Sequence, residues 1–501
     1  MPNDSFWSWI ATFVIVVIGA VLRLVDLGWP PGKIFDEVYY ATEGDDLFQH
    51  GVEWNHSANN ADYVVHPPLG KWLIGLGEWA FRGHFNAEFG WRIAPAIAGI
   101  VSILIVIRLA RRMFRSTVLG CAAGLLMALD GLHFVLSRSA LLDIFLLLFV
   151  LAAFACLVMD RDMRRRRWLR AIEDGVDTTR RRPAWRWSDG VPWWRLGAGV
   201  MTGCAMAVKW SALWYIILFV LLIFWWELLA RRSAGVKHYI RDTLLDEVGW
   251  VAAFGGIIVL VYLASWSGWF LTNDGWDRHW LASHGKPEPP ILGALYNLYY
   301  YHHEALAFHN SLTAHHTYQS WPWQWLLLAR PVAFYYSPAG PCGAAQCSSE
   351  VLLLGTPVLW WSFVPALALL IWFGISRRDW RALPIGLGAA AGIVPWFNWE
   401  LDHRTMFYFY VAPAEPFLIL AVVYVLGCLM KAPAWGGSRT HWPGGYEVVP
   451  VLDRRVIGAV IGGVYVLVVA LCFGYFYPIY TGKIMTYAQW YARMWLGGRW
   501  I

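Results

Sequence analysis

Two adjacent carboxylates, Asp36 and Glu37, stand in Phe35-Asp36-Glu37-Val38-Tyr39-Tyr40, shortly after the first apolar run of the chain. A carboxylate held where a chain leaves a membrane feels a low dielectric, which raises its pKa and strengthens it as a general base. The plainer reading is a helix start, because acidic side chains favour a first turn through the helix dipole. Residues 36–50 do read as a short surface helix, and spacing alone leans towards that plainer reading.

Four more groups of residues have the types for chemistry. In Tyr63-Val64-Val65-His66-Pro67-Pro68-Leu69-Gly70-Lys71, two prolines set a stiff turn before an amphipathic, interfacial segment through Phe81. His66 alone is more often a hydrogen-bonded structural residue than a catalyst. Arg138-Ser139-Ala140-Leu141-Leu142-Asp143 places an arginine at a tight turn between apolar runs. Such an arginine can clamp a phosphate, or it can pair with Asp143 and simply hold the turn. Tyr301–Tyr336 carries His302, His303, His309, His315 and His316, then Tyr318 through Trp325 and Arg330-Pro331. The histidine spacing fits no standard metal site, and the aromatic rings suit either sugar stacking or a membrane-interface belt. Leu401-Asp402-His403-Arg404-Thr405-Met406-Phe407-Tyr408 offers Arg404 as a second phosphate contact. Asp160-Arg161-Asp162 resembles the DxD metal motif, but it lies in a basic flank, where charge balancing is the better reading.

The elements that must position these residues are membrane helices. The chain has 501 residues, 58% hydrophobic and 15% charged, against about 25% charge in a soluble domain. Apolar runs long enough to span recur near 6–25, 91–110, 118–136, 140–159, 194–209, 211–230, 249–270, 352–375, 382–398, 405–429 and 456–477. This predicts an all-α polytopic protein of about eleven spans. The first run has no small-residue cleavage site after it and reads as a retained helix. Basic blocks at Arg108–Arg115, Arg161–Arg195, Arg231–Arg241, Arg377–Arg381 and Lys431–Arg455 each follow an even-numbered span. By the positive-inside rule those loops are cytoplasmic, with the N-terminus inside and the C-terminus outside. The net charge of +6 is thus topology, not a nucleic-acid patch. Residues 26–90 and 271–350 become large outer loops rich in His, Tyr, Trp, Asp, Glu and Pro. Of seven cysteines, five sit in apolar runs, and Cys342 and Cys347 share the second outer loop, where a disulfide is plausible.

Together the segments resemble the protein O-mannosyltransferases of the bacterial, actinobacterial type. The matching pieces are Asp36-Glu37, His66-Pro67-Pro68-Leu69-Gly70-Lys71, Arg138 with Asp143, Lys209-Trp210-Ser211, Tyr318–Arg330 and His403–Tyr408, in family order over most of the chain. The resemblance implies a GT-C glycosyltransferase fold and a polyprenyl-phosphate-mannose donor. It implies inverting transfer to Ser or Thr hydroxyls of secreted proteins. No cofactor is expected, and because arginines can meet the leaving group's charge, no metal is required. Asp36 matches the catalytic base, Glu37 its acidic neighbour, and Arg138 an arginine at the donor phosphate. His66, Lys71, Arg330, His403 and Arg404 complete the expected substrate-binding set. The loop 271–350 is too short for the β-trefoil domain of eukaryotic members. The expected organisation is an N-terminal GT-C module (1–270), a large outer loop (271–350) and a C-terminal four-helix module (351–501). Rival readings are another lipid-linked GT-C transferase, of aminoarabinose or arabinose type, or a flippase of lipid-linked sugars. A flippase calls for ionisable groups at the bilayer midplane, whereas most charges here sit at span ends.

Overall fold

A computed structural model describes residues 4–177, 190–338, 340–430 and 454–501. Most of the basic block Lys431–Arg455 and the middle of Arg161–Arg195 lie outside the described residues.

In chain order, α1 (Ser5–Leu24) leads into a polar segment holding α2 (Glu37–His50), the strands β1 (Trp54–Asn55) and β2 (Asn60–Ala61), and α3 (Leu69–Phe81). The first helical group then follows as α4 (Ala87–Phe114), α5 (Thr117–Ala128), α6 (Gly131–Leu136), α7 (Asp143–Glu173), α8 (Trp193–Met206), α9 (Leu213–Ser233) and α10 (Tyr239–Ser265). A second polar segment holds α11 (Ser267–Leu271), α12 (Trp280–Ser283), α13 (Leu292–Ser311), α14 (Pro322–Trp325) and the strands β3 (Val332–Ser337) and β4 (Cys347–Leu353). The last helices are α15 (Pro357–Arg377), α16 (Ala382–Ile393), α17 (Trp396–Leu401), α18 (Glu415–Met430) and α19 (Arg454–Tyr480), before β5 (Met485–Thr486) and α20 (Tyr487–Tyr491).

Among the described residues, eight helical stretches are long and apolar enough to cross a membrane: Ser5–Leu24, Ala87–Phe114, Asp143–Glu173, Trp210–Ser233, Tyr239–Ser265, Pro357–Arg377, Tyr408–Met430 and Val456–Tyr480. The other three expected spans, 118–136, 194–209 and 382–398, fall on shorter helices. α5, α8 and α16 have 12, 14 and 12 residues, against the roughly 20 that a span needs. Each run is cut by an interruption that apolar composition hides. Asp130 caps α6 by accepting from the His133 amide and so separates it from α5. Lys209 takes an extended backbone after α8, and Pro395 lies where α16 gives way to α17.

Burial sorts the spans. Within the most apolar 18 residues of each span, 89% are buried in Tyr408–Met430 and 67% in Asp143–Glu173, against 22% in Ser5–Leu24 and 17% in Tyr239–Ser265. The first two are the axis of the bundle and the last two its lipid-facing rim, where apolar side chains need no protein partner. Buried Arg23 pins α1 to the end of α5 and to α6 by donating to the Met127 and Ala128 carbonyls, with His133 Nδ1 at 2.7 Å, and it also donates to Gly19 within α1. The second polar segment is tied down by an antiparallel sheet in the order β3-β4-β5 and by a disulfide between Cys342 and Cys347.

Candidate active site

The polar segment after α1 is held by Glu37, which is fully buried. Arg92 on α4 grips its carboxylate with two bonds, Nε to Oε1 and Nη2 to Oε2, both 2.8 Å. The Trp91 indole and the Ile34 and Ala140 amides donate to the same carboxylate. Arg92 also donates to the Pro30 and Gly32 carbonyls. One carboxylate thus fastens the start of α2, the head of α4 and the turn before α7. A paired, bidentate, fully hydrogen-bonded charge of this kind can stay buried.

That anchor holds a strained turn beside it. Phe35 has φ of 47°, a left-handed conformation that a bulky residue avoids. Its ring is stacked on Phe334 at 4.7 Å and meets Phe409 and Phe407 edge-on at 5.9 and 6.2 Å. The next residue, Asp36, occupies the N-cap of α2, yet its side chain makes no capping bond. The helix-start reading therefore describes where Asp36 sits and not what its carboxylate does. The carboxylate is half-buried and accepts no hydrogen bond among the described residues. Burial pushes its pKa up to about 6, Asp143 and Glu43 push the same way, and Lys209 opposes them.

Around Asp36 lie groups from distant parts of the chain. Lys209 Nζ donates to Asp143 Oδ2 at 2.7 Å and sits over the Phe409 and Tyr410 rings. The His66 and His309 rings are 5.4 Å apart, and Tyr40 lies 6.1 Å from His66. Burial and the nearby cations, Lys209 among them, keep both imidazoles neutral, with His309 lowered to about 4 and His66 well below its usual value. Arg404 Nε donates to the His309 carbonyl at 3.0 Å. Its Nη1 is buried and has no hydrogen-bond partner among the described residues. The strap that carries it is fixed, since the Thr405 amide donates to the Leu312 carbonyl and the Ser320 amide to the Met406 carbonyl. A buried guanidinium nitrogen without a partner costs free energy unless an anion or water meets it. The cluster therefore joins an unpaired base to a cation with an unused donor.

Other expected residues are placed elsewhere. Arg138 does not pair with Asp143, which is taken by Lys209. Its Nη1 donates to the Arg23 and Val25 carbonyls and its Nη2 to the Asp26 carbonyl, so it closes off the C-terminal end of α1. Lys71 is buried between Glu43 and Glu53, at 3.0 and 2.8 Å, and ties α3 to α2. Arg330 donates to the Thr317 carbonyl and to the Arg499 and Ile501 carbonyls, strapping the second polar segment to the last residues. His403 is exposed in a left-handed turn. Asp160 pairs with Arg195, and Asp162 with Arg112, as charge balancing requires. Among the described residues no group of three or more His, Cys, Asp or Glu is placed to hold a metal ion.

Three residues of the cluster stand outside the expected site set. Arg92 sits at the head of an apolar run, where a charge is itself a signal. Lys209 entered only within the matching piece Lys209-Trp210-Ser211, and His309 only among the histidines of Tyr301–Tyr336.

The chain matches the family model of dolichyl-phosphate-mannose-protein mannosyltransferase over residues 13–271. It matches the C-terminal four TMM region of protein-O-mannosyltransferase over residues 294–500. It is 38% identical over 511 residues to a polyprenol-phosphate-mannose–protein mannosyltransferase of Mycolicibacterium smegmatis, covering 99% of this chain and 93% of that one. The corresponding protein of Mycobacterium tuberculosis is 37% identical over 512 residues, with coverage of 99% and 92%. The solved S. cerevisiae protein O-mannosyltransferase Pmt1-Pmt2 complex bound to the sugar donor has a TM-score of 0.73 at 15% identity, covering 99% of this chain and 93% of that one. That likeness bears out the GT-C frame, and the family matches with the apolar helices make this a multi-pass membrane protein. The chain belongs to the protein O-mannosyltransferase family.

Proposed function

We propose that this protein moves mannose from polyprenyl-phosphate-mannose to Ser or Thr hydroxyls of secreted or cell-envelope proteins, inverting the anomeric carbon. The observation that carries the reading is the unpartnered Asp36 carboxylate, held on a strained turn in a cluster that also contains Arg404 with an unused donor. Relatives at 37–38% identity across nearly the whole chain carry the corresponding name.

The steps balance. The acceptor oxygen attacks C1 of mannose and gives its proton to Asp36, while the bond from C1 to the phosphate oxygen breaks. Polyprenyl phosphate leaves already ionised, so no general acid is needed. Arg404 meets the charge that grows on it, which is worth most where water is excluded. Lys209 adds a second cation, oriented by Asp143. Glu37, whose carboxylate is saturated by donors, is a positioning residue for the Phe35–Asp36 turn. Arg138 positions the end of α1 from which that turn springs.

The arginine pattern supports an orientation with the N-terminus in the cytoplasm and the Asp36 cluster and C-terminus outside. The same reading divides the chain into an N-terminal GT-C module whose first outer loop (26–90) carries Asp36 (1–270), a large outer loop (271–350) and a C-terminal four-helix module (351–501). A lipid carrier suits that side, where the prenyl chain stays in the bilayer and the sugar phosphate reaches the interface.

The test is mass spectrometry of a Ser/Thr peptide incubated with the full-length protein and polyprenyl-phosphate-mannose. The peptide should gain one hexose as donor is consumed. A flippase would move donor across a vesicle without consuming it, and that result would overturn the reading.

A further inference from the structure

From Val332 to Tyr336, β3 has an edge with no strand partner among the described residues, and it starts beside Phe35, the residue before Asp36. The strand pairs with β4 on one side only, because the sheet order is β3-β4-β5. An antiparallel strand turns alternate amide and carbonyl groups away from its partner. From Val332 to Tyr336, no main-chain group of the strand bonds to a described residue outside the sheet. Proteins usually guard such an edge with charge, proline or a covering loop. The sequence here, Val-Ala-Phe-Tyr-Tyr-Ser, has neither charge nor proline.

Two further features point along this edge. The register steps from Ala333 opposite Leu352 to Tyr335 opposite Val351, which leaves Phe334 as a bulge. Bulges re-aim side chains near sites, and this one stacks Phe334 on Phe35, the residue before Asp36. At the other end, Tyr336 is 46% exposed and packs against Trp490 at 5.7 Å. The Trp490 indole in turn donates to buried Glu350, the residue opposite Tyr336 in the ladder. The strand thus leads from the Asp36 turn to a braced, exposed aromatic surface completed by Tyr487 and Tyr491.

We propose that the acceptor polypeptide binds extended along the open edge of β3, as a transient added strand, with its hydroxyl residue at the Phe35–Phe334 end. The inference rests on the acceptor being a polypeptide, as in the proposed function. An enzyme that modifies hydroxyls in many sequence contexts gains by reading the main chain, which strand addition does, while alternate side chains fall on neighbouring surfaces. A strand advances about 3.3 Å per residue, so the edge reads about four or five acceptor residues. Acceptors then tolerate an alkylated nitrogen, proline included, only at every second position.

The test uses the unmodified full-length protein at saturating polyprenyl-phosphate-mannose and a heptapeptide with one central Thr. Each other peptide nitrogen is methylated in turn, and kcat and KM for mannose transfer are measured. The expected result is a KM raised about five- to tenfold at positions of one parity, each having lost one hydrogen bond. KM at the other parity, and kcat throughout, stay near those of the parent peptide. Equal changes at both parities, or none, overturn the proposal. So does self-crosslinking of a Tyr336→Cys variant with parity-blind kinetics, which makes the edge a contact between two copies. If the unmethylated peptide gains no mannose while donor is hydrolysed, it is the proposed function that fails, and this inference with it.

Discussion

The two ends of α7 treat charge in opposite ways. Near its start, the cluster around Asp36 leaves a carboxylate unpaired and one Arg404 nitrogen unused. Seventeen residues further along, about 25 Å at the helical rise, Asp160 begins a network in which each charge has an opposite partner. Arg195 bonds Asp160 and Glu247, Arg164 bonds Glu247, and Arg231 bonds Glu227 and Asp246. The network joins α7, α8, α9 and α10 and spends its charge on packing. The Asp36 cluster instead holds charge ready for something absent from the fold. Buried charge without a partner marks where a protein does chemistry, and buried charge with one marks how it stands up.

Asp36→Asn breaks the comparison hardest on the catalytic side. The carboxylate makes no bond that the amide would lose, so the protein should insert and fold at the parent level. Mannose transfer per folded molecule should fall by about 10²- to 10⁴-fold, the usual worth of a positioned base. Transfer at the parent rate would show that Asp36 is only a helix cap.

At the other end of α7, Arg195→Ala should act on stability and not on chemistry. Arg195 is 1% exposed, and its loss takes one of the arginines from buried Asp160 and one from buried Glu247, both of which keep Arg164. A buried charge left with no partner costs about 3–5 kcal/mol, and with Arg164 still in place the loss should fall below that. Thermal unfolding in detergent should show that loss, with kcat per folded molecule unchanged. Arg138→Ala belongs with this group, because it removes bonds to main-chain carbonyls at the end of α1. It should lower the melting temperature more than it alters the KM for donor.

Arg404→Ala should lie between these cases. It removes the free donor and should raise the KM for polyprenyl-phosphate-mannose about ten- to hundredfold, as for a lost hydrogen bond from a charged group. Arg404→Lys should recover part of this, since lysine keeps the charge but not the forked geometry.

The frame was largely legible in the sequence, because apolar length and the placement of arginine follow directly from the bilayer as solvent. Eight of the expected spans are single long helices among the described residues, and the other three are shortened at single residues. Asp130, Lys209 and Pro395 interrupt runs whose average composition is still apolar. The carboxylate pair was visible, but the division of labour within it was not. Asp36 and Glu37 are chemically alike and adjacent, and the positions of Trp91, Arg92 and Ala140, more than 50 residues away, decide which one is saturated. From sequence, Arg138 led Arg404 as the phosphate contact. What reverses them is that main-chain carbonyls take both Arg138 Nη groups while Arg404 Nη1 has no hydrogen-bond partner among the described residues, and this depends on where α1 ends and where the 402–407 strap crosses the second polar segment. Non-local partners of this kind leave no local pattern to read.

The smallest expected effect is also the one that links rate to stability at a single atom group. The Asp36 pKa lies at about 6, raised chiefly by burial, so the carboxylate needed as base is mostly ionised at pH 7 and about one-tenth ionised at pH 5. Transfer should therefore fall about tenfold from its plateau on going to pH 5. His66 and His309 do not contribute to this fall, because burial keeps them neutral down to lower pH. Stability runs the other way. A carboxyl whose folded pKa exceeds its ordinary value of 3.8 binds its proton more tightly when folded. Its contribution to stability is present at low pH and is lost as pH rises through about 6. Asp36→Asn should accordingly melt above the parent at pH 7.5, and that difference should shrink as the pH is lowered towards 4. A melting difference that does not change with pH, or a parent rate that is flat from pH 7 to 5, would mean that the Asp36 carboxylate is not the buried base that the Phe35 turn holds in place.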